Sequence, residues 1–275
     1  RKPFVGFGDP IFNRGQLAMA SMPEESKRTN LSISQETIQV RGIRISEKGN
    51  LDNNKIMSIQ LEDLKRLPET SDEIKSIAAV LSADPDQDVF LGVQASENRI
   101  KTMDLSDRRI IVFASHALIP GDLDGLSEPA IAFCSPSVTG ENEDGLLTMG
   151  EVLKLKLNAD WVVLSSCNSG GSDGQGAEAL SGLGQAFFYA GTRALLASMW
   201  PVESTSAQKL TTGLFRYQKD NIKLTRARAL RKSMLDLIDS SGLKDDATGK
   251  IVASYAHPLF WAPFILVGDN GIDVN

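Results

Sequence analysis

Short apolar segments alternate with amphipathic ones along most of this chain, and that alternation restricts the fold more than any other feature. FVGFG (Phe4 to Gly8) reads as a buried strand closed by a Gly-Asp-Pro turn. DVFLGV, RRIIVFAS (Arg108 to Ser115), EPAIAFCS, DWVVLSS, TRALLASMW and FWAPFILVG follow as further strands. Between them Ile74, Ile77, Ala78 and Leu81 fall at helical spacing, as do Leu180, Leu183, Gly184, Phe187 and Phe188, with Gly191 as the C-cap. Two more amphipathic helices are predicted over 205–217 and 225–238. Strands apolar throughout are buried on both faces, which happens when helices cover a mostly parallel sheet. The expectation is an α/β three-layer sandwich. Residues 13–60 are polar and Asn/Ser-rich and read as an elaborated loop region, with a candidate hairpin in TIQVRGIRIS. There is no internal repeat.

Composition excludes several classes of function. A net charge of −6 and a pI near 5.1 leave no basic footprint for nucleic acid or anionic lipid. Apolar runs such as FILV are too short to span a bilayer, and no secretory signal opens the chain. Two cysteines among 275 residues make no disulfide framework, which favours a reducing, cytoplasmic setting. The chain begins Arg1-Lys2-Pro3 and reads as a piece of a longer protein.

One of those cysteines is oddly placed. WVVLSSCNSGG puts Cys167 just past the end of an apolar strand and before a glycine-rich turn. Parallel α/β sheets carry their catalytic groups at the carboxyl ends of strands, near a topological switch point. His116, one of two histidines, directly follows IIVFAS and so occupies the matching place on another strand. A thiol becomes a thiolate near neutral pH when a base such as imidazole is beside it. The order, histidine first and 51 positions before the cysteine, is that of caspases, although SSCNSG is not the caspase QAC signature.

These residues resemble those of a known family. FVGFGDPIF, ASHA, EDGLLTMGEVLKLKLNADWVVLSSCNSG, GLGQAFFYAGTRALLASMWPVES and HPLFWAPFILVGD together look like a CHAT domain, a bacterial branch of the caspase-like cysteine peptidases that include separases and metacaspases. The resemblance covers most of the chain apart from 13–60. It implies a single caspase-like peptidase domain over 1–275. It also implies Cys167 as nucleophile, His116 as general base and acid, and backbone N–H groups of Ala117 and Cys167 as the oxyanion hole. Ala117 stands where glycine is common in the family. Ser198 and Trp200 fall where caspases build one wall of the substrate channel. A protein or peptide substrate is implied, with no metal or other cofactor. Because such domains commonly follow TPR-type repeats or other sensor modules, a regulated C-terminal effector is expected.

Other residues read differently. Cys134, expected mid-strand in AIAFCS, is packing material. His257, before Pro258, is a structural hydrogen-bonding residue. GGSDGQGAE lacks both the GK[ST] ending and the GxGxxG spacing of phosphate loops, and Asp173 and Glu178 would repel phosphate. Asp122, Asp124, Asp173, Glu178 and Glu203 are expected to be solvated loop charge. Between His116 and Trp200 there are ten acids and one arginine, Arg193. Asp173 and Glu178 follow Cys167, so an acidic substrate pocket selecting Arg or Lys is expected, with a neutral pocket taking an apolar residue as its main rival. Three classes of function are therefore weighed: a cysteine endopeptidase, a catalytically silent caspase-like interaction module, and a nucleotide-binding domain disfavoured by the missing phosphate motif.

Overall fold

The strands of the central sheet segregate their side chains by odd and even position, as the pleat requires. In the computed structural model, which describes residues 1–22, 60–165, 175–245 and 248–271 (175–180 by backbone alone), that sheet has six strands. They are β1 (Lys2–Gly8), β2 (Val89–Leu91), β3 (Arg108–Ala114), β7 (Trp161–Leu164), β8 (Ala194–Ser198) and β11 (Phe264–Gly268). Their spatial order is β11-β8-β7-β3-β1-β2, parallel throughout except for the antiparallel edge strand β11. Phe4, Val112, Val163 and Leu196 face one buried layer, and Phe7, Phe113, Leu164 and Ala197 the other.

Helices cover both faces. On one lie α2 (Glu69–Leu81), α5 (Ser204–Asp220) and α6 (Arg226–Asp239), delivering Ile74, Ile77, Leu210, Leu214, Phe215 and Leu230 to the core. On the other lie α3 (Glu97–Thr102) and α4 (Gln175–Ala190), with Ile100, Leu183 and Phe187 buried. This is the three-layer, caspase-like sandwich. Gly191 closes α4 with φ +114°, and a Cβ there would stand 2.3 Å from the Leu157 carbonyl oxygen, so only glycine fits the cap.

Three sequence-based expectations need correction. The EPAIAFCS segment is not in the main sheet. Its strand β5 (Ala130–Ala132) forms a small antiparallel sheet with β4 (Ala117–Leu118) and β6 (Leu146–Thr148). Cys134 therefore lies beyond its strand, where it is still buried, accepting from Ile11 N at 3.2 Å and donating to Gly92 O at 2.9 Å. The polar 13–60 stretch opens with a helix, α1 (Arg14–Ala20), capped by Asn13, while the candidate hairpin lies outside the described residues. A second hairpin, β9 (Leu243–Lys244) with β10 (Ile251–Ala253), was too short to show a period.

α2 lies close against β1. A Cβ at Gly8 would be 2.9 Å from Ile74 Cγ1 and 3.3 Å from the Thr70 carbonyl oxygen, so glycine permits this approach. The start of α2 is thereby brought to the carboxyl ends of β1 and β3, where the strand order reverses direction.

Candidate active site

His116 emerges from the switch point between β1 and β3, two residues past Ala114. The connection is tight. Ser115 Oγ donates to Ala132 O, and Ala132 N donates to His116 O at 2.9 Å, tying the end of β3 to β5. The imidazole is 2% exposed, with Phe12 against it at 5.7 Å between ring centroids.

Its Nε2 lies 2.7 Å from the backbone carbonyl oxygen of Lys65. A carbonyl can only accept, so Nε2 carries the hydrogen and the neutral ring keeps its lone pair on Nδ1. Burial pushes the His116 pKa below the ordinary histidine value. The bond to Lys65 O and the nearby Glu69 carboxylate oppose that shift without cancelling it. The ring is therefore neutral near pH 7, with one nitrogen free to accept a proton. Nothing in the sequence pointed to the Lys65 contribution, because a backbone carbonyl leaves no residue-type signature.

Cys167 lies outside the described residues, but the strands on either side of it are defined. β3 and β7 pair in parallel as Ile110 with Trp161, Ile111 with Val162, Val112 with Val163 and Phe113 with Leu164. Each pair is 51 positions apart in sequence, the same separation as His116 and Cys167. Each of these two residues follows the last pair by three positions. Ser165, two before the cysteine, keeps the register by donating its N–H to Phe113 O at 3.0 Å.

Ala117 opens β4 opposite Ile131. Hydrogen-bonded and non-hydrogen-bonded pairs alternate in an antiparallel ladder, and the Ala132-to-His116 bond makes Ala117 a non-bonded position. Its N–H points away from β5. Ala117 is not among the positive-φ residues, so its strand backbone accommodates a Cβ in place of glycine.

The remaining sequence candidates fall in different places. Ser198 is the last residue of β8, opposite Phe264 and fully buried, while Trp200 two residues on is 40% exposed. Asp173 lies outside the described residues, and the side chain of Glu178, on α4, does as well. Asp122 Oδ2 accepts from Ile119 N at 2.8 Å, bracing the loop at Gly121. Asp124 accepts from Gln60 Nε2 at 3.3 Å. Glu203 is not solvated loop charge. It is 2% exposed and caps α5, accepting from Thr205 N and Ser206 N at 2.7 Å each. A carboxylate at an N-cap is stabilised by the orphan N–H groups it receives, which is why it tolerates burial. His257 is a cap too, its Nδ1 accepting from Leu259 N at 3.2 Å.

Among the described residues the carboxylates close enough together to hold a metal are Glu97, Glu143 and Glu151. Lys101 Nζ already stands among them, donating to Glu97 at 3.1 Å, Glu143 at 2.5 Å and Glu151 at 2.9 Å. The ammonium supplies the positive charge that an ion would. No helix among the described residues is long and apolar enough to cross a membrane.

A mostly parallel six-stranded sheet with an antiparallel edge, helices on both faces and a neutral histidine at the switch point places the protein in the caspase-like class. Residues 11–269 match the model of the CHAT domain, and the chain belongs to that family, which is related to caspase-like peptidases. The chain is also similar to Tetratricopeptide repeat protein 28 of Homo sapiens, 26% identical over 147 residues. That alignment covers 54% of this chain and 5% of the human protein, so the chain spans only a small part of the relative it matches.

Proposed function

We propose that this CHAT domain is a cysteine endopeptidase in which Cys167 attacks the scissile carbonyl and His116 moves the proton. The observation that carries the reading is the 2.7 Å contact between His116 Nε2 and Lys65 O, which leaves Nδ1 as the basic nitrogen at the end of β3. The β3–β7 register, 51 positions apart like the two residues themselves, supports Cys167 as the group it serves. His116 Nδ1 takes the thiol proton, and the thiolate adds to the peptide carbonyl. The backbone N–H groups of Ala117 and Cys167 receive the oxyanion. The imidazolium then protonates the departing amine, and water activated by the same nitrogen hydrolyses the acyl-enzyme. Ser198 and the half-exposed Trp200, at and beyond the carboxyl end of β8, border the substrate channel, and Asp173 and Glu178 give it acidic character.

In this reading the domain is a cytoplasmic effector, controlled by a sensor or repeat region elsewhere in its protein or by an activating partner. The test is a peptide-library cleavage assay comparing the chain with its Cys167→Ala variant. Cleavage lost in the variant supports the reading, and identical cleavage patterns overturn it.

A second reading, a catalytically silent interaction module, draws on the tetratricopeptide-repeat name of the human relative. Native labelling with iodoacetamide separates the two. An activated Cys167 reacts much faster than Cys134, which burial pushes up to about 11.

A further inference from the structure

The Lys65 carbonyl is useful to His116 only if its peptide plane is held still, and the sequence around it offers little to hold it. Lys65 itself is exposed, and the segment from Leu64 to Pro68 has no regular secondary structure. The residue whose nitrogen completes the Lys65 peptide is Arg66. Its guanidinium makes a two-pronged ion pair with Asp9, Nε to Oδ1 at 2.7 Å and Nη2 to Oδ2 at 2.6 Å. Bidentate pairing of this kind fixes orientation as well as distance.

Asp9 is an unusual anchor. It follows the last residue of β1, is 5% exposed, and has φ +53°. Among the described non-glycine residues only Ser82 shares that left-handed backbone, and Ser82 is a helix C-cap, where it is common. No helix end explains Asp9. Left-handed backbone at a non-glycine residue is unfavourable and persists where the surroundings enforce it. Here the surroundings are the same short segment: Asp9 N donates to Thr70 Oγ1 at 2.7 Å, and that hydroxyl donates to Leu67 O at 2.7 Å. Leu64 and Leu67, both buried, pin the two sides of Arg66.

We propose that Asp9 and Arg66 are positioning residues for His116, holding the 64–67 segment so that the Lys65 carbonyl fixes the imidazole's tautomer and aim. The pair touches no reacting atom. It acts through one peptide bond, from the Arg66 side chain to the Lys65 carbonyl, and from there to Nε2. The inference rests on the Cys167–His116 reading above.

The test uses Arg66→Ala, Asp9→Asn and Arg66→Lys in the full chain, with His116→Ala as reference. Asparagine keeps the size of Asp9 and tolerates left-handed backbone but cannot accept the two-pronged pair. Two quantities are read: the ¹⁵N signals of the His116 ring, which report its tautomer, and the rate of Cys167 alkylation. Displacing a catalytic group by about 1 Å slows a reaction up to about a hundredfold, so alkylation 10- to 100-fold slower is expected in Arg66→Ala and Asp9→Asn. Their ring signals should lose the single Nε2–H pattern, and Arg66→Lys should recover part of the rate. If His116→Ala slows alkylation but folded Arg66→Ala and Asp9→Asn keep both the rate and the ring signals, the positioning role is overturned and the dyad stands. If His116→Ala leaves alkylation unchanged, the dyad itself fails. Global unfolding of all three pair variants would also overturn the proposal, by assigning the pair to the stability of the fold.

Discussion

Ser165 Oγ donates a hydrogen bond of 2.9 Å to Glu73 Oε2, joining the end of β7 to the side of α2 two residues before Cys167. Glu73 is fully buried, and its other oxygen accepts from Thr211 Oγ1 of α5 at 2.9 Å. One carboxylate thus links a helix, a second helix and the strand that leads toward Cys167. Four residues earlier on α2, Glu69 accepts from Ser204 Oγ at 2.9 Å. With Lys65, Arg66 and Thr70, the stretch 65–73 touches the carboxyl ends of β1, β3 and β7 and the start of α5.

That arrangement sets the first expectation. Glu73→Ala removes an acceptor from the buried Ser165 and Thr211 hydroxyls, the latter keeping Ala207 O at 2.9 Å, and opens a void, so it should destabilise the fold by about 2 kcal/mol. Glu73→Gln keeps the volume and one good acceptor, and should cost about half as much. Urea unfolding with unchanged m-value measures both. A loss below about 0.5 kcal/mol for the alanine variant would show that the carboxylate holds nothing in place.

The second concerns acid. Burial depresses the His116 pKa below its unfolded value of about 6.5, so the unfolded chain binds a proton that the folded chain refuses. Stability contributed by the neutral ring is complete above about pH 6.5 and falls as pH drops through the window beneath it. His116→Gln should flatten that part of the pH–stability curve. NMR titration should find the ring neutral at pH 6.5, and a midpoint at or above 6.5 would contradict the burial argument.

The Lys101 cluster has the opposite slope. Burial pushes Glu97 up to about 7, against the Lys101 ammonium and the Gly145 N–H that lower it. A raised carboxyl favours the protonated folded form. Its contribution is greatest below the unfolded value of about 4.5 and is lost as pH climbs through 7. Lys101→Met leaves three close carboxylates without their cation, so the variant should be markedly weaker than the parent at pH 8. The gap should narrow at pH 5, where Glu97 takes up a proton. Thermal melts at the two pH values decide it, and a gap equal at both would refute the charge account.

Much of this was legible in the sequence. Long apolar runs such as RRIIVFAS and DWVVLSS must be buried on both faces, and they became β3 and β7. His116 stood out as a candidate because strand ends in such sheets host chemistry, and it does lie two residues past the end of β3. What sequence could not show was work done by backbone or by pairs distant along the chain. The Lys65 carbonyl has no residue signature, and Asp9 and Arg66 are 57 positions apart. Glu203 was misread as solvated because an acid after a proline-bearing turn looks like loop charge until the helix it caps is placed. EPAIAFCS was misassigned because three apolar residues fit a small side sheet as well as a central one.

The final expectation is which residue precedes the cleaved bond. An aspartate-selecting pocket needs a guanidinium free to pair with the substrate, because such pairing offsets the desolvation of a carboxylate. Arg193, the only arginine between His116 and Trp200, precedes β8 and pairs with Asp160, which precedes β7. Both therefore sit at the amino ends of their strands, opposite His116. Arg66 is at the correct end, but its fork is held by Asp9. Of the charges that act on the His116 ring, the partly exposed Glu69 carboxylate is opposed by the Lys65 ammonium, so the expected acidic preference rests on Asp173 and Glu178, which follow Cys167 in sequence. Matched peptides with Arg, Met or Asp at that position, given to activated protein, should be cleaved fastest with Arg. Faster cleavage of the Asp peptide would mean that a guanidinium, Arg66 first among them, is released to bind substrate.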